Sequence, residues 1–302
     1  MLVYIFITII IIVFVGILIS FNRDINKFRQ KLKSYDIKKL DTVFGKMSYV
    51  EEGTGEAILL SHGIFGGYDQ GYLSLKKLLK GNYKKIAISR FGYPGSSLPK
   101  KPTPKNQSKV FVQLLDVLNI DKTYIISTSA GGASGLRFTL DYPERVKGLI
   151  LLSSGVPDKK RTIEEVKKLG MMGPPSFIVN DFTMWFVLKY FGFAFRSMLG
   201  SGDSKDLLAT MLPVKERHKG VIADTNITNI DMTLHYDEYQ LENIKVPILV
   251  IHAKDDPMAR YENIEAFLKR VNADTAIYET GGHLIEGHDC SKVIEKFIDN
   301  TK

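Results

Sequence analysis

Residues 124–132 read YIISTSAGG, an apolar run that breaks into two serines one residue apart and then into glycines. A serine becomes an exposed nucleophile when it sits on a turn between strand and helix so tight that small residues must stand two positions to either side, the pattern G-x-S-x-G. Centred on Ser129, those positions hold Ser127 and Gly131; centred on Ser127, they hold Ile125 and Ser129. A branched isoleucine belongs to the strand, so Ser129 is the candidate, and Ser127 stands where the pattern has glycine. The competing reading is a small-residue turn without chemistry, and partners elsewhere in the chain decide between the two.

Outward from this turn the chain keeps a regular rhythm. The runs AILLSHG, KKIAISRFG, KTYIISTS, VKGLILLSS, KVPILVIHA and TAIYE are short and nearly continuous in apolar residues. Between and after them GYLSLKKLLK, NQSKVFVQLLDVLNI, AGGASGLRFTLDY, YENIEAFLKRV and SKVIEKFID carry apolar residues at helical spacing. Apolar strands alternating with amphipathic helices predict an α/β fold, a mostly parallel sheet flanked by helices. Ahead of these, TVFGKMSYVEEG reads as strand, turn and strand from Thr42, and Gly53 and Gly55 predict a hairpin turn into AILLSHG. The rhythm stops after Gly155 and resumes near Val246, which sets off residues 156–245 as a mainly helical insertion between core segments 42–155 and 246–302.

An open parallel sheet holds ligands beyond the C-terminal ends of its strands. Five such ends carry distinctive residues: SHGIFGG at 61–67, SRFGYPGSS at 89–97, the serine turn, HAKDDPMAR at 252–260 and TGGHLIEGH at 280–288. Serine is a poor nucleophile at neutral pH and needs a histidine to take its proton and a carboxylate to fix that histidine's tautomer. The chain supplies serine, aspartate and histidine in the order this topology uses. GGASG lacks the G-x-G-x-x-G spacing of a dinucleotide site, and its glycines read as close packing of the helix after the turn. No grouping of His, Cys and carboxylates has metal-ligand spacing, so neither metal nor cofactor is expected.

With these five motifs in order, the sequence resembles the α/β-hydrolase superfamily in its serine-nucleophile branch of esterases and lipases. The resemblance implies Ser129 as nucleophile and His283, after Gly281 and Gly282, as general base and acid. It implies Asp256 as the acid, four residues after His252 as in the family's H-G-x-x-D loop, with Ala253 in place of the glycine; Asp255 is the neighbour to be told from it, and Asp158 a third candidate. His288 lacks the paired glycines, and His62 is expected to order its own loop. The oxyanion hole is expected from the backbone N–H of Ala130 and of Ile64, with Phe65 the next choice to Ile64. The insertion after the sixth strand is expected to form a helical cap. The implied reaction is hydrolysis of a carboxylic ester; a C–C bond hydrolase, thioesterase or perhydrolase would use the same triad, and a noncatalytic binding protein of this fold would be expected to have lost part of it.

Met1 to Phe21 contains no charged side chain, and about twenty helical residues reach roughly 30 Å, the thickness of a bilayer's hydrocarbon core. Residues 1–21 are expected to form an uncleaved single-pass transmembrane anchor. A signal peptide would show basic residues ahead of the run and small residues at a cleavage site. Within the stretch 22–41, residues 22–40 hold seven basic side chains against Asp24 and Asp36, so most of the net charge of +8 sits beside the span and nothing in the charge calls for nucleic acid. Such a flank predicts a basic juxtamembrane linker near anionic headgroups and a cytoplasmic catalytic domain. The single Cys290 makes no internal disulfide and reads as structural. In the insertion Phe177, Phe182, Trp185, Phe186, Tyr190, Phe193 and Phe195 stand close together, as packing of the cap on the core and as the wall of an apolar acyl pocket.

Overall fold

The central apolar runs become eight strands in one sheet of order β1-β2-β4-β3-β5-β6-β7-β8. The strands are β1 (Lys38–Thr42), β2 (Gly45–Glu52), β3 (Glu56–Ser61), β4 (Tyr83–Ile88), β5 (Thr123–Thr128), β6 (Val146–Leu152), β7 (Ile248–Ala253) and β8 (Asp274–Tyr278). The chain is described as a computed structural model covering residues 1–168, 172–192 and 205–302. From β4 to β8 all neighbours are parallel, whereas β1 pairs antiparallel with β2 and β2 antiparallel with β4. The turn at Gly53 and Gly55 is therefore not a hairpin: β4 lies between β2 and β3, with Leu59 of β3 opposite Ile86 and Val50 of β2 opposite Ala87. The reason lies in β3, whose buried run has parallel partners on both edges, β4 and β5.

Alternation along the strands divides the core. Leu59, Ile125, Leu149 and Val250 face a layer with Phe111, Leu136 and Phe267. Ile58, Ile126, Ile150 and Ile251 face the opposite layer with Leu75, Ile294 and Phe297. The helices that cover the sheet start on local signals: Thr103 caps Pro104–Val117 by accepting from the Asn106 N–H, with proline at the first position, and Asp289 caps Cys290–Thr301.

Between β6 and β7 the described chain is helical, including Ile163–Lys168, Asp181–Tyr190 and a run from His218 to Leu234 that passes through a π turn at Asp224–Thr228. Two buried ion pairs tie this cap to the core, Arg90 with Asp224 and Asp69 with Arg217. Stranding one partner of such a pair costs about 3–5 kcal/mol, so both act as clamps against cap removal.

The N-terminal helix departs from expectation. It runs unbroken from Leu2 to Lys33, so residues 22–33 are helix rather than linker, and β1 begins at Lys38 within the stretch read as linker. It is long and apolar enough to cross a membrane. Its outer half is exposed, while Ile17, Phe21, Ile25, Phe28 and Leu32, three or four residues apart, line one stripe; all but Leu32 join a cluster with Trp185, Met184, Leu212 and Val214 of the cap, and Leu32 packs with Val50 and Tyr68 of the core. A charged composition hid this because only one stripe of the helix needs to be apolar to pack.

The cap aromatics divide accordingly. Phe182 and Trp185 pack edge-on against Phe21 at 5.3 and 5.4 Å, so they join cap to N-terminal helix rather than cap to sheet. Phe186 and Tyr190 continue the cluster, Phe177 is 64 % exposed, and Phe193 and Phe195 lie outside the described residues.

Candidate active site

Ser129 stands directly after the last residue of β5 and has φ of +51°, the left-handed region that a non-glycine residue adopts only when its surroundings impose it. Those surroundings are glycines. A Cβ on Gly131 would strike the carbonyl oxygen of Ser61, and one on Gly63 would come within 3.0 Å of the Ser129 Cβ. The helix Gly132–Asp141 starts directly behind the turn. Ser127 packs against the following helix instead: it is fully buried, its Oγ has no hydrogen-bond partner among the described residues, and a Cβ on Gly135 would collide with it.

The loops after β7 and β8 bring the partners in. His283 Nε2 lies 2.9 Å from Ser129 Oγ, and His283 Nδ1 lies 2.8 Å from Asp256 Oδ2. With the carboxylate accepting from Nδ1–H, Nε2 is left to accept the serine proton. The other oxygen of Asp256 accepts from the N–H groups of Met258 and Ala259 at 2.8 and 3.0 Å. Burial pushes the Asp256 carboxyl up, but the hydrogen bond and charge of His283 and those two N–H groups outweigh it and hold it below the ordinary carboxylate value.

The other candidates sit elsewhere. Asp255 accepts from the N–H of Gly282 at 2.9 Å and of Gly281 at 3.3 Å, which fastens the loop that carries His283. Asp158 pairs with Arg161. His288 bonds the Thr280 carbonyl at 2.8 Å and stacks on Tyr278. His62 accepts the Arg90 N–H on Nε2 at 3.0 Å, so its Nδ1–H donates to the Gly63 carbonyl at 2.7 Å, and burial holds its ring well below the ordinary histidine value. Cys290 is buried, and burial beside Asp289 pushes its thiol up to about 11.

Beside Ser129 the 63–66 turn is closed by the Gly66 N–H on the Gly63 carbonyl at 3.2 Å, with Phe65 at φ of +59°. The Phe65 carbonyl accepts from Arg217 Nε at 2.9 Å. Ile64 N–H donates to no protein acceptor among the described residues. Ala130 lies in the first turn after the elbow, where N–H groups have no intrahelical acceptor.

Four residues to which the sequence assigned no role thus hold the loop: Arg90, Asp224, Asp69 and Arg217. Arg90 donates through Nε to the His62 carbonyl at 2.8 Å and through both Nη atoms to Asp224 at 2.7 and 2.6 Å. Its place within SRFGYPGSS is a usable signal, whereas nothing local marks Arg217, fully buried in the cap.

A strained serine at the end of a central parallel strand, with histidine and aspartate delivered from other strand ends of the same sheet, defines a hydrolase of the α/β class. The chain belongs to the alpha/beta hydrolase fold family, whose model matches residues 56–285. It is similar to the uncharacterized hydrolase YcgS of Bacillus subtilis, 34% identical over 135 residues that cover 43% of this chain and 46% of that protein. The chain thus spans less than half the length of the first curated relatives it matches. A longer match, 24% identical over 271 residues and covering 84% of this chain and 90% of the relative, is to a 2-hydroxy-6-oxononadienedioate/2-hydroxy-6-oxononatrienedioate hydrolase of Paraburkholderia phymatum. Among solved structures, carboxylesterase CesB of Bacillus subtilis superposes with TM-score 0.68 at 17% identity over 93% of this chain and 99% of that one. A membrane phospholipase A, named as a bacterial virulence factor, superposes with TM-score 0.69 at 16% identity over 98% of this chain and 97% of that one.

Proposed function

We propose that this protein is a membrane-anchored serine hydrolase that cleaves carboxylic esters with an apolar acyl group. The observation that carries the proposal is the unbroken chain from Ser129 through His283 to Asp256, at 2.9 and 2.8 Å. Ser129 Oγ attacks the ester carbonyl as His283 takes its proton; the N–H groups of Ile64 and Ala130 receive the oxyanion; the alcohol leaves with the proton from His283. Water, deprotonated by the same histidine, then releases the acid and restores Ser129. Asp256 orients the imidazole and stabilises its cation. No metal or cofactor enters this scheme.

Support for an apolar substrate comes from Ile64 and Phe65, which belong to the hydrophobic cluster shared with the cap and the N-terminal helix. The apolar outer half of that helix supports a single-pass anchor, and its basic inner half, by the positive-inside bias, a cytoplasmic domain. Esters of membrane lipids, the substrates implied by the name of the phospholipase neighbour, are the first class to test.

A second reading, hydrolysis of a C–C bond, comes from the relatives named as 2-hydroxy-6-oxo dienedioate hydrolases, whose named substrates are dicarboxylates. Against it, the two arginines that reach residues 62–65 are already neutralised by Asp224 and Asp69, which suits an uncharged ester better than a dicarboxylate. The test is labelling with a fluorophosphonate, followed by rates on p-nitrophenyl esters of graded chain length and on a 2-hydroxy-6-oxo dienoate. Labelling abolished by Ser129→Ala but retained by Ser127→Ala, with rates rising with chain length, is the expected result. Turnover of the dienoate alone would overturn the ester assignment, and no labelling of folded wild type would overturn the serine mechanism.

A further inference from the structure

The N-terminal helix and the cap helix Asp181–Tyr190 lie side by side and antiparallel. Arg29 reaches Asp181 at 3.1 Å, Asp24 accepts from the Trp185 indole at 3.0 Å, and Lys189 reaches Ser20 and Asp24, each at 2.6 Å. Passing along the cap helix toward its C-terminus therefore means passing along the N-terminal helix toward its apolar half. The charge-free run ends at Phe21, so Lys189, bonded one residue inside that limit, stands where hydrocarbon would give way to headgroups.

The two residues after Lys189 are aromatic. Tyr190 and Phe191 are 45 % and 47 % exposed, and Phe182 on the same helix is 38 % exposed. The charges nearest this edge are arranged to tolerate lipid. The Lys189 ammonium is paired with Asp24 and lies 5.1 Å over the Trp185 ring, while Arg23, 74 % exposed, opens the basic stretch on the water side. Aromatic rings with a neutralised lysine at the end of an apolar span make the pattern of a membrane-interface belt.

We infer that the Lys189–Phe191 edge of the cap enters the bilayer leaflet crossed by the Ser20–Phe21 end of the N-terminal helix, so the protein touches lipid at two places and the cap is held against the membrane surface. The inference rests on the membrane-anchor reading and adds a second lipid-contacting surface to it. The occupant is lipid rather than a protein because the edge is continuous with the exposed apolar helix and lies level with its end. A single-helix tether would leave the domain free to turn; two contacts fix its orientation, with the cap against the source of acyl chains.

The full chain is placed in vesicles of phosphatidylcholine with added phosphatidylglycerol, with and without acyl chains brominated near the headgroup. On a Trp185→Phe background the chain has no other tryptophan, so Tyr190→Trp and, separately, Phe14→Trp each give one indole. Both indoles are expected to lose most of their emission to brominated lipid and little to aqueous iodide. A quenched Phe14→Trp with an unquenched Tyr190→Trp overturns this inference and leaves the anchor standing; failure of both overturns the anchor reading as well. Quenching of Tyr190→Trp by neither agent, as a protein covering the edge would give, also overturns it. Should loss of the Trp185 indole unfold the cap, a polarity-sensitive dye attached through Tyr190→Cys on Cys290→Ser answers the same question by a blue shift on vesicle binding, and no shift overturns it.

Discussion

Arg217 of the cap donates through Nε to the carbonyl of Phe65 at 2.9 Å, the residue next to Ile64 in the loop beside Ser129. Cap and candidate oxyanion loop are thus one mechanical unit, anchored by the ion pair of Arg217 with Asp69 on the core. Replacing Arg217 by Met is expected to lower kcat by up to about 10²-fold with little change in KM, as a displaced loop would. It should also cost about 3–5 kcal/mol of stability by stranding Asp69. The double variant with Asp69→Asn should recover much of the stability but not the rate; urea unfolding and steady-state kinetics on a short soluble ester separate the two.

The two adjacent aspartates should divide cleanly. Asp256→Asn leaves His283 without the carboxylate that holds its tautomer, and kcat should fall by about 10⁴-fold. Asp255→Asn weakens only the grip on the Gly281 and Gly282 N–H groups, and activity should fall far less. Equal losses in the two variants would contradict the assignment.

Around the elbow the glycines are the fragile positions. Gly131→Ala sets a Cβ against the Ser61 carbonyl, a backbone group that cannot swing away, so fluorophosphonate labelling should be lost together with thermal stability. Ser127→Ala removes an oxygen with no partner among the described residues and should change stability by no more than about 1 kcal/mol.

Stability should fall on mild acidification. Burial holds His62 and His252 below the ordinary histidine value, so beneath about pH 6.5 the unfolded chain binds protons that the folded chain refuses. The stabilisation is complete above that pH and declines below it, with a limiting slope of about 1.4 kcal/mol per pH unit for each ring, until the pH passes that ring's folded value. Asp256 adds a loss at lower pH: its depressed carboxyl stabilises the fold above about pH 3.9, and the benefit disappears as pH drops through its folded value. Urea midpoints between pH 8 and pH 5 test the histidine slope, which His62→Asn should reduce.

Truncation should distinguish the two halves of the N-terminal helix. Removing residues 1–16 takes away only exposed turns and should release the protein from membranes with its melting temperature intact. Removing residues 1–33 uncovers Trp185 and Met184 and deletes the buried Ile25 and Leu32, each worth about 1.5–3 kcal/mol. That variant should melt earlier and bind a hydrophobic dye.

The sequence alone specified the parallel α/β core, the serine turn with its glycines and the order of the three triad candidates, because each depends on short-range requirements: apolar periodicity, room for a strained backbone, residue types that suit a proton relay. It also marked the apolar helix, since length and lack of charge suffice. The position of β4 between β2 and β3, the Arg217 and Arg90 clamps on the 62–65 loop and the docking of the N-terminal helix on the cap came only with the tertiary structure. Those features join residues as far as 169 positions apart, such as Lys189 and Ser20, and their energy comes from burial and pairing that no local window contains.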